Sequence, residues 1–241
     1  MNRLSLYLNI ILLTLLIVVV IRENYIPKLK QRIFPDNSLD HFKNRPAYKE
    51  ELMRYDVYSK KANIVMVGTS LTQDIDWSEL LNRGDIINRG FGGDIFAVIA
   101  SRLPYVLSVK PKICFIEGGI NDIDRNIPLK ESMEHLTHII NSLQQDSIIP
   151  VITLVTHVSN SAHGHDERNQ KINEINSEIK NLAKLKNISL IDNNPILAPD
   201  GYLKPEYAKY DGLHYLPKTY LVWKASIEKI LMQYHLYPFL I

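Results

Sequence analysis

Ser70 and His214 are the residues of this sequence that best suit a nucleophile and its base. Ser70 stands directly after Gly68 and Thr69, and His214 follows Asp211 at a spacing of three. That spacing lets a carboxylate reach the imidazole across one turn and hold it in the tautomer whose other nitrogen accepts a serine proton. Each residue also has an ordinary interpretation, Ser70 as a helix cap and His214 as a surface side chain.

Two glycine-rich segments could supply hydrogen-bond donors to a developing anion. Glycines fill three of the four positions from 90 to 93, and Asn121 follows the pair Gly118-Gly119. The first segment lacks the lysine and the glycine spacing of a phosphate loop, and a tight turn is its alternative interpretation. A nucleophile, a base with its acid and several donors together form the set that acyl transfer requires.

The surrounding pattern predicts the elements that would position these residues. Short apolar runs, typical of parallel strands covered on both faces, alternate with amphipathic stretches such as residues 133–143, 172–183 and 219–233. We predict a three-layer α/β/α sandwich with a parallel sheet of about five strands. Active sites of such sheets form at the carboxyl ends of the strands. The five predicted strands cover residues 62–67, 85–88, 113–116, 148–155 and 188–191.

Four ordered blocks between about residue 62 and residue 231 resemble the SGNH/GDSL hydrolases. They are GTSL, INRGFGGD, GGIND and YDGLHYLPKTYLVW. The text is most similar to the branch that contains platelet-activating-factor acetylhydrolase catalytic subunits and bacterial acyl- and acetylesterases. The resemblance implies the flavodoxin-like SGNH fold and a serine esterase or acylhydrolase.

The resemblance also implies a role for each matched residue. Ser70 is the nucleophile, His214 the general base and Asp211 its partner. The oxyanion hole is expected from the Ser70 N–H, the Gly90 N–H and the Asn121 side-chain amide. One departure is visible, because Thr69 stands where the family usually has aspartate.

Three functions stay open at this point. The first is an esterase that removes acetyl or short acyl groups from a sugar, lipid or envelope polymer. The second is an O-acyltransferase that passes the acyl group to a sugar hydroxyl, and the third is an anchored, non-catalytic binding protein. Acyl chain length, alcohol and oligomeric state are left open by the sequence.

Composition narrows the range of partners. The net charge of +2, without a long run of one sign, does not favour a nucleic-acid partner. We expect no cofactor and no metal. His157, His163 and His165 share a loop, but no cysteine supports them, so a substrate-facing loop is the favoured interpretation.

The N-terminus carries 18 uncharged residues between Arg3 and Arg22. Without a small-residue cleavage pattern this run predicts an uncleaved transmembrane helix, so that a bilayer is an expected partner. We divide the chain into an anchor over residues 1–21, a polar stem over 22–60 and a hydrolase domain over 61–241. The flanking charges favour a cytoplasmic domain, whereas the family resemblance favours an extracytoplasmic one, which is the localisation we expect.

Overall fold

The computed structural model describes residues 3–22, 25 and 36–237 of the chain. Contacts divide the chain into two compact units, Met1–His41 and Phe42–Ile241. The helices are α1 (Arg3–Arg22), α2 (Leu39–Lys43), α3 (Pro46–Val57), α4 (Ser70–Gln73), α5 (Trp77–Leu80), α6 (Phe96–Ser101), α7 (Pro104–Leu107), α8 (Ile120–Asp124), α9 (Leu129–Gln145), α10 (His165–Lys186), α11 (Asn194–Leu197) and α12 (Thr219–Gln233). The strands are β1 (Ile64–Gly68), β2 (Ile86–Gly90), β3 (Ile113–Ile116), β4 (Ile149–Thr153) and β5 (Ser189–Ile191).

The five strands form one parallel sheet in the order β2-β1-β3-β4-β5. Gly68 pairs with Gly90, so that β1 and β2 end side by side. The predicted sandwich with five parallel strands is therefore confirmed. Residues 154 and 155 of the fourth predicted strand lie beyond β4. The Leu154 N–H still donates to the carbonyl of Ile191 in β5, whereas the Val155 N–H donates to the Asn176 side chain.

Alternate residues of each strand enter two separate apolar cores, one on each face of the sheet. Val65 and Val67 pack with α6, α9 and α10 on one face. Ile64 and Met66 pack with α5 and α12 on the other. This division follows from the two-residue period of a strand and explains why the strands read as continuous apolar runs.

The prediction of an N-terminal membrane anchor is not supported by the structure. No helix in the part of the chain that the structure describes is long and apolar enough to cross a membrane. The transmembrane helix over residues 1–21 and the single-pass membrane localisation are therefore wrong, and the bilayer as a partner is not supported. The 18 residues between Arg3 and Arg22 include Ser5 and Asn9, and at about 1.5 Å per residue they span about 27 Å, less than the roughly 30 Å of a hydrocarbon core.

Helix α3 belongs to the second unit and packs through its aromatic side chains. Tyr48 and Tyr55 are buried, as is Phe42 ahead of the helix. The Tyr48 ring meets the Phe91 ring edge to face, with 5.3 Å between centroids. Phe91 lies in the loop after β2, so α3 is placed against one of the loops at the carboxyl edge of the sheet.

Asp122, in α8, joins three helices from a buried position. Its carboxylate accepts hydrogen bonds from the Phe96 N–H at the start of α6 and from the Ser132 hydroxyl in α9. Burial raises the pKa of Asp122 to about 6, although the bonds from Ser132 and Phe96 oppose the shift. The folded protein therefore retains a proton on this carboxyl up to a higher pH than the unfolded chain does.

We expect this proton to make stability depend on pH. A carboxyl whose folded pKa lies above its unfolded value stabilises fully below the unfolded pKa, and that contribution is lost as pH rises through about 6. Between pH 5 and pH 7 the free energy of unfolding should fall by about 1 kcal/mol through Asp122 alone. Urea unfolding at both pH values measures it, and Asp122→Asn should remove the difference. Asp146→Asn, on the surface, should leave it, and an unchanged pH dependence in Asp122→Asn would contradict the assignment.

Candidate active site

Ser70 begins α4 directly after β1 and faces an imidazole. Its Oγ lies 2.9 Å from His214 Nε2, although the two residues are 144 positions apart in the chain. The N-cap residue of α4 is Thr69, and no side-chain cap hydrogen bond is made there, so the helix-cap interpretation does not describe Ser70. The serine hydroxyl is instead directed to a histidine that can accept its proton.

The loop that carries Asp211 and His214 is shaped by that aspartate. Asp211 Oδ2 lies 2.6 Å from His214 Nδ1, and Oδ1 accepts the N–H groups of Leu213 and His214. Gly212, between them, has φ +72°, and a Cβ there would lie 2.8 Å from the backbone nitrogen of Ala162. Only glycine therefore fits this turn.

Charge favours one tautomer of His214. Burial raises the pKa of Asp211, but the hydrogen bonds from Leu213 and His214 outweigh it and leave the pKa below its usual value. An ionised Asp211 accepts a hydrogen bond from the Nδ1–H of His214. The unprotonated Nε2 then points its lone pair at the Ser70 hydroxyl. The three side chains thus form one hydrogen-bonded chain whose direction suits deprotonation of the serine.

The loop after β2 uses most of its backbone donors internally. Gly90 N–H donates to Asn88 Oδ1 at 2.8 Å and Gly92 N–H to Gln73 Oε1 at 2.8 Å. The N–H groups of Phe91 and Asp94 donate to backbone carbonyls. Gly90, the glycine expected to supply an oxyanion donor, therefore has its N–H engaged. Across residues 90–94, the Gly93 N–H is the one without an acceptor among the described residues.

Asn121 and the same loop are held together. The Asn121 amide nitrogen donates to the carbonyl of Asp94 at 2.9 Å, which uses one of its two hydrogens. A Cβ built on Gly92 would lie 3.7 Å from Ser70 Cβ, so the loop runs beside Ser70. The structure thus brings Ser70, Asp211 and His214 into one hydrogen-bonded chain, and ties Asn121 to the glycine loop that passes it.

Two buried charged groups that sequence reasoning missed hold this loop. Asp94 and Arg102 have 0% and 1% of their side chains exposed, and Asp94 Oδ2 accepts from Arg102 Nε at 2.8 Å. Arg102 also donates to the carbonyl of Arg89 at 2.6 Å and to that of Gly68 at 3.0 Å. The aspartate directly after a glycine run was the available signal, but nothing in the spacing identified its partner.

Glu117, at the end of β3, accounts for the unusual threonine before Ser70. Its buried carboxylate accepts from the Thr69 N–H, the Thr69 hydroxyl and the Thr72 hydroxyl at 2.9–3.0 Å. Burial raises the pKa of Glu117, and these donors oppose that shift. A Cβ on Gly68 would lie 2.2 Å from Thr72 Oγ1 and 2.6 Å from Glu117 Oε2, so a larger residue has no room.

Thr69→Val should test this network. Valine keeps the volume of threonine but leaves the buried carboxylate with one donor fewer, so we expect the free energy of unfolding to fall by about 1–3 kcal/mol. Thr137→Val is the matched control, since its hydroxyl donates to the carbonyl of Met133, one turn earlier in α9. Urea unfolding measures both variants. Equal losses in the two would argue against a special role for the Thr69 hydroxyl.

Comparison with known proteins supports the same fold. The model of the GDSL-like Lipase/Acylhydrolase family matches residues 67–222. A GDSL-like lipase of Bacteroides thetaiotaomicron aligns with TM-score 0.68 and 19% identity, over 78% of this chain and 98% of that one. A lipase/acylhydrolase of Enterococcus faecalis aligns with TM-score 0.62 and 23% identity, over 73% of this chain and 97% of that one.

The chain also resembles part of a protein that is named for a different activity. The N-acylneuraminate cytidylyltransferase of Streptococcus agalactiae serotype III is 24% identical over 183 residues, which are 76% of this chain and 41% of that protein. The chain therefore spans about two fifths of the length of the curated relatives it matches.

Proposed function

The chain belongs to the GDSL-like lipase/acylhydrolase family, and we propose that it hydrolyses ester bonds as a serine esterase with Ser70 as nucleophile. The observation that carries the proposal is the chain of hydrogen bonds from Ser70 Oγ through His214 to Asp211, with distances of 2.9 and 2.6 Å. A contact between Ser70 and a histidine 144 positions away, together with the contact of that histidine with Asp211, is what a nucleophile with its base and orienting acid requires.

The reaction proceeds in two steps. His214 Nε2 takes the proton of the Ser70 hydroxyl while Oγ attacks the ester carbonyl, and Asp211 stabilises the imidazolium that forms. The tetrahedral intermediate collapses as the alcohol leaves with that proton, so that an acyl group remains on Ser70. Water, deprotonated by His214, then attacks the acyl-enzyme and releases the acid and free Ser70.

Three donors are proposed for the oxyanion. Ser70 N–H starts a helix and has no intrahelical acceptor, and the Asn121 amide has a second hydrogen. We assign the third donor to Gly93 rather than Gly90, because the Gly90 N–H is already bonded to Asn88. Fixed donors at this position stabilise the charge that develops on the carbonyl oxygen, each by about 3 kcal/mol.

The substrate proposed is an O-acyl ester with an acetyl or other short acyl group. The family resemblance in the four blocks supports it. The matched relative is named for N-acylneuraminate, a sugar acid, which makes O-acetylated sugars the natural compounds to compare with simple esters.

The first experiment is hydrolysis of p-nitrophenyl acetate, butyrate and octanoate by the full chain beside Ser70→Ala. We expect the wild type to hydrolyse the shorter esters and Ser70→Ala to lose all but a residual rate, since no nucleophile replaces Oγ. Ser78→Ala, on α5, is the matched control and should keep wild-type rates. A folded wild-type protein that hydrolyses no ester and does not react with a fluorophosphonate would refute the proposal, and faster transfer to an added alcohol than to water would indicate an acyltransferase.

Asn121→Ala tests the oxyanion hole. Removal of its amide donor should lower kcat on the order of 100-fold, because the interaction is made with the transition state rather than with the ground state. The same ester assay measures it, with Asn126→Ala, just beyond α8, as the control. An Asn121→Ala enzyme with unchanged turnover would exclude this residue from the site.

A further inference from the structure

Arg45 reaches the glycine loop from a part of the chain that precedes the family match, which begins at residue 67. Its guanidinium donates to the carbonyl oxygen of Gly92 at 3.3 Å and to Asp94 Oδ1 at 2.9 Å. The group lies over the Phe42 and Phe91 rings, 4.9 and 5.1 Å from their centroids. These cation–π contacts and two directed hydrogen bonds restrict the guanidinium to one position.

The hydrogen bond from Arg45 to the Gly92 carbonyl also orients the N–H of Gly93, because the peptide group that joins the two residues is planar. The carbonyl of Gly92 and the N–H of Gly93 belong to one rigid group and point in opposite directions. A donor that holds the oxygen therefore also fixes the direction of the N–H. The Gly93 N–H is the donor without an acceptor in the described part of this loop, and a cation on the carbonyl strengthens it as a donor.

The hydrogen bond from Arg45 to Asp94 affects the Asn121 amide, which is the second proposed oxyanion donor. The carboxylate of Asp94 accepts a hydrogen bond from Arg45, and its backbone carbonyl accepts one from the Asn121 amide at 2.9 Å. That contact decides where the remaining hydrogen of the amide points. One guanidinium thus lies behind two groups that would bind the oxyanion.

Resting on the proposed function, we propose that Arg45 is a positioning residue of the oxyanion hole, so that the segment before the matched region completes the active site. Arg45 touches neither substrate nor nucleophile in this arrangement. It acts by holding the Gly92–Gly93 peptide and Asp94 in the orientation that the transition state needs.

The loop has a second support, which makes the proposal testable. Arg102 binds the other oxygen of Asp94 and the carbonyls at the ends of β1 and β2. Loss of Arg45 therefore leaves the buried carboxylate paired and the loop attached to the sheet. The expected consequence is imprecise donor geometry in a folded protein rather than unfolding.

The test compares Arg45→Ala and Arg45→Lys with Arg54→Ala in the full chain. Arg54 lies in α3, and its ion pairs within the described part of the chain are with Glu50 and Glu51 on the helix surface. We expect Arg45→Ala to lower kcat on p-nitrophenyl acetate by about 10- to 100-fold with KM changed less than about threefold. Arg45→Lys should be intermediate, because an ammonium group cannot span both acceptors. Arg54→Ala should match the wild type.

Added guanidinium ion at millimolar concentration should restore part of kcat in Arg45→Ala and none in Arg45→Lys, where the ammonium occupies the site. A merely structural role would instead lower Tm and leave kcat per folded molecule unchanged, and that result would overturn the proposal. So would equal losses in Arg45→Ala and Arg54→Ala. If the wild type itself has no Ser70-dependent activity, the proposed function fails, whereas wild-type activity that survives in Arg45→Ala sinks the inference about Arg45 alone.

Discussion

The buried ion pair between Asp94 and Arg102 is the interaction on which the carboxyl edge of the sheet depends. Both side chains are almost wholly withdrawn from water, and moving a charged group into the interior costs several kcal/mol unless its hydrogen-bonding capacity is satisfied. Here the guanidinium meets a carboxylate and the carbonyls of Gly68 and Arg89, at the ends of β1 and β2. The pair therefore holds the turn before the nucleophile and the glycine loop in a fixed relation.

A second buried carboxylate, on Glu117, is satisfied in a different way. Among the described residues no cation pairs with it, and its partners are the N–H and hydroxyl of Thr69 and the hydroxyl of Thr72. An aspartate at position 69 would bring a second acid to Glu117, and two such groups at hydrogen-bond distance share one proton. Threonine replaces that shared proton with a hydroxyl donor. The departure from the family pattern is thus compatible with an intact nucleophile turn.

The residues that hold the backbone at the site differ from those proposed to carry out the reaction. Asp94, Arg102 and Glu117 hold the backbone, while Ser70 and His214 form the contact on which the proposed chemistry depends. The segment over residues 42–57 adds aromatic packing through Tyr48 and the guanidinium of Arg45. Preorganisation of this kind is useful to catalysis because donors that already point at the oxyanion need no rearrangement as charge develops. The unit that packs as one body begins at Phe42, earlier than the family match at residue 67.

Hydrophobic patterning and residue spacing were sufficient to predict the architecture and the candidate reactive groups. Continuous Ile- and Val-rich runs predicted the five strands, because both faces of a parallel sheet are buried, and the three-residue spacing from Asp211 to His214 predicted their contact. The sequence was misleading at the N-terminus, where apolar composition alone indicated a membrane anchor that no described helix supports. Which backbone donors are free depends on the folded loop: the Gly90 N–H donates to Asn88, and the Gly93 N–H has no acceptor within the described residues. Hydrogen bonds such as those from Arg45 and Arg102 to distant carbonyls depend on the path of the folded backbone, which has no signature in local spacing.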